Sequence, residues 1–595
     1  MAKAASSPKA NAAATSLAAH YTVRMPDPAS HNFQVEIELS GMADGVTLAL
    51  PAWTPGSYKV RDFARNVSGF RARDSRGALP VDQLDKQRWR IANSGASVIH
   101  VSFTLHADEF SVRTPHLDDM HGFFLGTNLL PYIEREIGLP AGADYRVTIV
   151  PPRGWQVATG LKSVAQNTYA TNDYDILGDS IFEIGTHEVH SFSAFGVKHD
   201  VAIVGWGNFD TARMVADIKK LCETEPRLFG GVPYDYYLFV IHCFPDAGGG
   251  LEHLNSCVCG WPSFKFKPQD EYDNFIRLVA HEYFHVWNVK RIRPAVLGPF
   301  NYASEQYTQA LWVMEGLTQY YEKLWCARAG ILSDESLLNS YAELIDREDN
   351  RPGRKVMPLE ESSWLAWTKL YQADDNFVNS AVSYYSRGAQ VGFVLDAKIR
   401  AATGGKKSLD DVMKLAFERH GYPKPGFPER GFEAMCEEVA GSDFSKFWRD
   451  HVRGTRDHDY AEALKVYGLE FKRDKNEQSP WLGLTHGTKD GSFQVRSVET
   501  GSPAAKAGLQ VRDEILALNG HKVTAKDFDD RLKDLKQDDR ITLSLFRRGR
   551  LLTAKLTVGS KPAGKLKLTR VAKPDAQQRK NYQRWLWKSG SAHSA

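Results

Sequence analysis

The chain has 595 residues and a mass of 66.7 kDa, which suits three or four domains of roughly 100–200 residues each and excludes a single small binding module. With 42% hydrophobic residues, 25% charged residues and 14 tryptophans, it carries too many core-forming side chains for a disordered protein. Lys and Arg number 75 against 72 Asp and Glu, a formal charge of +3; this balance gives no reason to expect a nucleic-acid partner, and no apolar run is long enough to span a membrane.

Residues 1–20 contain Lys3, Lys9 and an alanine-rich stretch whose only large aliphatic side chain is Leu17. That is too weakly apolar for a signal peptide, so the segment reads as a disordered leader and leaves a cytoplasmic or periplasmic location open. Residues 21–195 have period two: Phe33, Val35, Ile37 and Leu39, and later Ile99, Val101, Phe103 and Leu105, alternate with polar neighbours. Such half-buried strands predict a mostly antiparallel β domain.

Residues 196–475 change to helical periods. Phe275, Leu278, Val279, Val286 and Val289 are spaced for one helix, capped at Asp273 or Asn274 and stopped by Pro294. A second helix is expected from Glu305 to Cys326, with Leu311, Met314, Leu317, Tyr321 and Leu324 facing inward. Six cysteines are too few for a disulfide framework, and Cys257-x-Cys259 on a strand reads as two small buried thiols. A third texture, short strands with turn signals and one helix, fills 476–560. Residues 561–595 hold nine Lys or Arg against the lone Asp575 and read as a solvated basic tail.

The chemistry concentrates at His281-Glu282-Tyr283-Phe284-His285. On a helix, residues four apart share a face, so both imidazoles reach one metal while Glu282 approaches a water on it. Catalytic zinc takes three protein ligands, and Glu315 in Trp312-Val313-Met314-Glu315-Gly316 is the candidate third, because an acid among apolar neighbours needs a cation. Zinc brings the pKa of its water towards about 7, Glu282 takes the proton, and the resulting attack on a carbonyl creates an oxyanion that needs a further donor. Tyr384 and Tyr385 are both available, of which Tyr385 is preferred. Gly248-Gly249-Gly250-Leu251-Glu252-His253 offers close backbone approach at Gly249 and Gly250 and an acid, Glu252, for a substrate α-ammonium; a glycine turn with a surface acid is the alternative.

Together these motifs resemble the glycyl aminopeptidase family of gluzincin zinc metallopeptidases, distant relatives of aminopeptidase N that often carry a C-terminal PDZ domain. The resemblance covers nearly the whole chain. It implies a multidomain α+β fold with an N-terminal antiparallel β domain, a thermolysin-like α-rich catalytic domain and a PDZ domain. His281, His285 and Glu315 would hold zinc, Glu282 would be the general base, Tyr385 would steady the oxyanion, and Gly249, Gly250, Glu252 and His253 would receive the free N-terminus of a peptide. Two positions depart from aminopeptidase N: the spacer from His285 to Glu315 is longer, and His253 replaces an Asn. Trp481-Leu482-Gly483-Leu484 is similar to a PDZ carboxylate-binding loop, which would cap a peptide C-terminus, although Arg512-Asp513 stands where Gly-Asp is usual. The implied activity is removal of N-terminal Gly or Ala. A thermolysin-type endopeptidase and a PDZ adaptor with an inactive peptidase body are the rivals.

Overall fold

Strand Asn32–Ser40 turns Phe33, Val35, Ile37 and Leu39 inward, and strand Val98–His106 pairs with it so that these residues face Leu105, Phe103, Val101 and Ile99. All eight side chains are buried, each contributing about 1.5–3 kcal/mol on leaving water. The structure, a computed structural model, describes residues 17–41, 45–92, 95–134, 143–473 and 477–588. It divides into two units: Met1–Val215 with Pro233–Phe275 and Pro299–Glu305, and Ala216–Val232 with Ile276–Gly298 and Gln306–Ala595.

The first unit is built on an eight-stranded sheet, antiparallel except where Ala18–Arg24 runs parallel to Asp144–Val150. Two four-stranded sheets and a five-stranded sheet complete it. The expected leader therefore ends earlier than residue 20, because Ala18 already belongs to a strand; residues 1–16 lie outside the described residues. The boundary expected at 195 falls in the turn joining Glu188–Ala194 to Val197–Gly205, both strands of the five-stranded sheet. Cys257 and Cys259 are both buried on the Ser256–Pro262 strand of the same sheet, as expected.

The second unit is largely helical. The first motif helix is Gln269–Phe284, starting before the expected caps and ending ten residues before Pro294. The second begins at Leu311 instead of Glu305, with a π-helical turn, Trp312–Gly316, leading into helix Leu317–Arg328. The PDZ-like fold holds strands Leu484–Lys489, Ser492–Val498, Glu514–Leu518, Arg540–Arg547 and Arg550–Thr557 and helix Ala525–Lys533. Arg512 adopts φ 70°, the left-handed conformation glycine would supply, so the turn survives its substitution.

The expected solvated tail is corrected by the structure. Strand Leu566–Arg570 pairs with Leu469–Arg473, so the PDZ fold is inserted between two strands of one antiparallel pair. Helix Ala576–Trp585 follows, with Trp585 fully buried and its indole N–H donating to Tyr320 Oη at 2.8 Å. The lysines and arginines of this segment set its charge, but Tyr582, Trp585 and Leu586 set its position.

Candidate active site

Helix Gln269–Phe284 carries His281 and Glu282 in its last turn, and His285 sits in the turn that closes it, its N–H still directed at His281 O. The chain then folds back sharply. Val289 takes φ 108°, a strained value for a β-branched residue. Beside it, Asn288 O accepts from His285 Nδ1–H at 2.6 Å, while the Asn288 amide donates to Val313 O and Met314 O, each at 2.9 Å. One buried asparagine thus ties the end of the histidine helix to the π turn that presents Glu315. π turns inside helices recur at functional sites.

Glycines bring the next helix in. A Cβ on Gly316 would lie 2.5 Å from Gly388 Cα, and one on Gly388 would lie 2.8 Å from Gly316 Cα. Helix Tyr384–Ala402 therefore presses against the Glu315 turn, with Tyr385 in its first turn. The Tyr385 ring stacks 6.1 Å from that of His281, and its hydroxyl is 3.4 Å from that of Tyr371. Burial and the Glu315 charge push the Tyr385 phenol well up, so it stays a donor.

At the centre, His281 Nε2 and His285 Nε2 approach the same oxygen, Glu315 Oε2, at 3.4 and 3.3 Å. Ligands 2.0–2.1 Å from a tetrahedral zinc ion lie about 3.3 Å from one another. His285 Nδ1–H is committed to Asn288 O and His281 Nδ1 to Glu322 Oε2 at 2.8 Å, so both Nε2 atoms point inward as metal ligands do. Burial would raise the Glu315 carboxyl, but His285 and His281 outweigh it and hold it at about 2. Burial likewise opposes ionisation of Glu322, which Lys323 and His281 hold at about 2. Burial disfavours protonation of His281, but Glu315 and Glu322 raise its pKa well above the usual value; a metal at Nε2 competes with that proton. Two imidazoles, one ionised carboxylate and a supporting carboxylate are the donor set and backing of a zinc site, and the residues fit that ion.

Glu322 and Asn288 were not among the residues singled out from sequence. Glu322 follows Glu315 by seven positions, two helical turns, and that spacing was a usable signal.

In the first unit, Gly249–Glu252 is an edge strand of the five-stranded sheet. Gly249 has φ 77°, and Arg113 donates to Gly250 O at 2.8 Å. Glu252 is buried, against the surface-acid alternative, and its Oε1 has no hydrogen-bond partner among the described residues. It abuts Gly56, φ 85°, where a Cβ would lie 2.6 Å from Oε1. His253 is also buried, and its Nδ1 lies 3.2 Å from Asp179 Oδ1. Asp179 accepts from Leu254 N–H as well, fixing the chain just after Glu252.

A family model described as M61 glycyl aminopeptidase matches residues 274–391, the Peptidase M61 N-terminal domain matches 20–186, and a PDZ domain matches 468–558. The crystal structure of an aminopeptidase N family protein from Idiomarina loihiensis is 30% identical, with a TM-score of 0.88 over 96% of this chain and 100% of that one. An M1 zinc metallopeptidase from Deinococcus radiodurans aligns at 14% identity and a TM-score of 0.47 over 75% of this chain and 96% of its own. Among curated proteins, the serine protease Do-like HtrA of Bacillus subtilis (strain 168) is 34% identical over 168 residues, 28% of this chain and 33% of that protein's length.

Proposed function

Since the chain belongs to the M61 glycyl aminopeptidase family, we propose that it is a zinc-dependent aminopeptidase that removes small residues, glycine or alanine, from the free N-terminus of peptides. His281, His285 and Glu315 hold the zinc. When bound, zinc polarises the scissile carbonyl and makes water acidic enough to be deprotonated near neutral pH. Glu282 accepts the proton of the attacking water and returns it to the departing amine nitrogen. Tyr385, kept protonated, donates to the oxyanion that forms on the carbonyl oxygen. Glu252 pairs with the substrate α-ammonium, and the edge strand beside it offers backbone groups to the extended peptide.

The observation that carries this reading is the meeting of two imidazole Nε2 atoms at one Glu315 oxygen, at zinc-ligand spacing. No helix among the described residues is long and apolar enough to cross a membrane. The test is a panel of free and N-blocked glycyl, alanyl and leucyl amides with and without chelator. Cleavage of free glycyl and alanyl amides that chelator abolishes is expected. Equal cleavage of blocked peptides would reassign the protein as an endopeptidase, and full activity in chelator would remove the metal from the mechanism.

A further inference from the structure

Residues 371–385 connect two tyrosines whose hydroxyls lie 3.4 Å apart, Tyr371 and the oxyanion donor Tyr385. Midway lies the single helical turn Phe377–Ser380, and its Asn379 reaches the PDZ fold. The Asn379 amide donates to Val498 O at 2.8 Å, and its carbonyl accepts from Thr500 N–H, also at 2.8 Å. A side-chain amide thus pairs with the backbone as a neighbouring strand would. Asp375, four residues earlier, adds an ion pair with Arg512 at 2.9 Å; that pair is exposed and contributes little.

The backbone that Asn379 grips is the brace of the carboxylate-binding loop. Glu499 N–H donates to Gly483 O, and Ala504 N–H to Leu482 O. Gly483 sits at φ 73°, and a Cβ there would lie 2.2 Å from Ser502 Cβ. Its carbonyls and its glycine thus tie the loop to residues 499–504. On the other side, the segment after Asn379 is equally fixed. Val382 O accepts from Ser362 Oγ at 2.6 Å, and a Cβ on Gly353 would lie 2.3 Å from Ala381 O. Helix Tyr384–Ala402, with Tyr385 in its first turn, begins two residues later.

We propose that Asn379 is a positioning residue for Tyr385, joining the PDZ carboxylate-binding loop to the oxyanion donor, so that a peptide C-terminal carboxylate held by that loop raises turnover at the metal site. This rests on the reading of Tyr385 given above.

The test uses the full-length, zinc-loaded enzyme with a glycyl amide substrate. Asn379→Ala is expected to lower kcat by about fivefold while KM stays within about twofold and zinc content and melting temperature are retained. Asn379→Asp, which keeps the acceptor for Thr500 N–H, recovers part of that loss. The probe for the loop is an N-acetylated pentapeptide ending in valine with a free carboxylate, its C-terminal amide serving as control. The acid raises wild-type kcat by about fivefold, the amide does not, and Asn379→Ala abolishes the response. Wild-type kcat in Asn379→Ala overturns the proposal whether or not the pentapeptide binds. An unchanged wild-type kcat at saturating pentapeptide, followed by fluorescence anisotropy, overturns its ligand-dependent half. Tyr385→Phe separates the layers: wild-type kcat in that variant removes the oxyanion role beneath the proposal, whereas a slow Tyr385→Phe beside a fast Asn379→Ala defeats the coupling alone.

Discussion

In the second unit, two imidazole nitrogens share one oxygen of Glu315 at 3.3–3.4 Å, and each ring is held from behind, by Asn288 O and by Glu322. In the first unit, His121 and His242 divide between the two oxygens of Glu183, at 3.1 and 2.8 Å, and the far nitrogen of His242 has no partner among the described residues. His116 and Asp118 extend this second cluster at 3.1 Å, and Phe110 packs its ring against both His116 and His121. The donor types match, but the arrangements are opposites. Hydrogen bonds at 2.8–3.1 Å already satisfy both oxygens of Glu183, whereas the longer contacts that converge on one oxygen of Glu315, with outer nitrogens occupied, suit a metal. Residue types alone do not distinguish a buried ion-pair network from a metal site; the direction of the second imidazole nitrogen does.

The sharpest way to break this comparison is to remove each cluster's central function. Glu282→Gln should lower kcat on a glycyl amide by about a thousandfold with bound zinc unchanged, while His281→Ala should lose both activity and zinc. Elemental analysis beside the assay checks the pair, and zinc retained in His281→Ala would contradict the ligand assignment. Glu183→Ala should leave zinc stoichiometry intact but cost about 3–5 kcal/mol of stability, because it strands a buried imidazolium; denaturant unfolding reads that loss, and a drop in bound metal would make the first cluster a metal site. Glu322→Gln should weaken zinc binding by about 10–100-fold, measured by chelator competition, whereas His242→Ala should not change it.

A smaller effect concerns pH. Burial would raise the Glu183 carboxyl, but the His121 imidazolium and hydrogen bonds from His121 and His242 hold it at about 2, below its ordinary 4.5. Burial likewise opposes His121 protonation, and Glu183 outweighs it, raising that pKa above 6.5. The Glu183 contribution is present above pH 4.5 and is lost as pH falls towards 2. The His121 contribution is full below 6.5 and is lost as pH rises through its raised value. The first unit should therefore draw most from this pair between pH 4.5 and 6.5, and Glu183→Ala should flatten the pH dependence of its unfolding midpoint in acid. An equally steep acid limb in the variant would assign that dependence to other groups.

The sequence made the histidine pair and Glu315 legible because both signals are local: a four-residue repeat on one helix face and an acid stranded among apolar neighbours. The strands were legible for the same reason, and the alternation at Phe33–Leu39 matches the observed burial position by position. What stayed hidden involves partners distant in sequence. Glu183 meets residues 62 and 59 positions away on two other strands, and Asn379 meets the PDZ fold at separations of 119 and 121. No periodicity encodes such pairings. Asn288 was hidden for a different reason: the helix pattern ran smoothly through it, while the backbone had already turned at Phe284. The basic segment after residue 560 misled because charge outnumbered its few anchors, although two tryptophans in that run were a signal.

The burial of Trp585 against Tyr320 has a consequence for how the protein is made. Tyr320 lies on helix Leu317–Arg328, which also carries Glu322, and Arg328 donates to Trp585 O at 3.0 Å. These partners stand 265 and 257 residues apart, and the inserted PDZ fold must be synthesised between them. At about 5–20 residues per second, a ribosome takes roughly 6–24 s to pass from the first strand flanking the insertion to the helix that seals this core. During that interval Tyr320 and Arg328 await their partners, so a chain released early presents an unfinished helix face to proteases and chaperones.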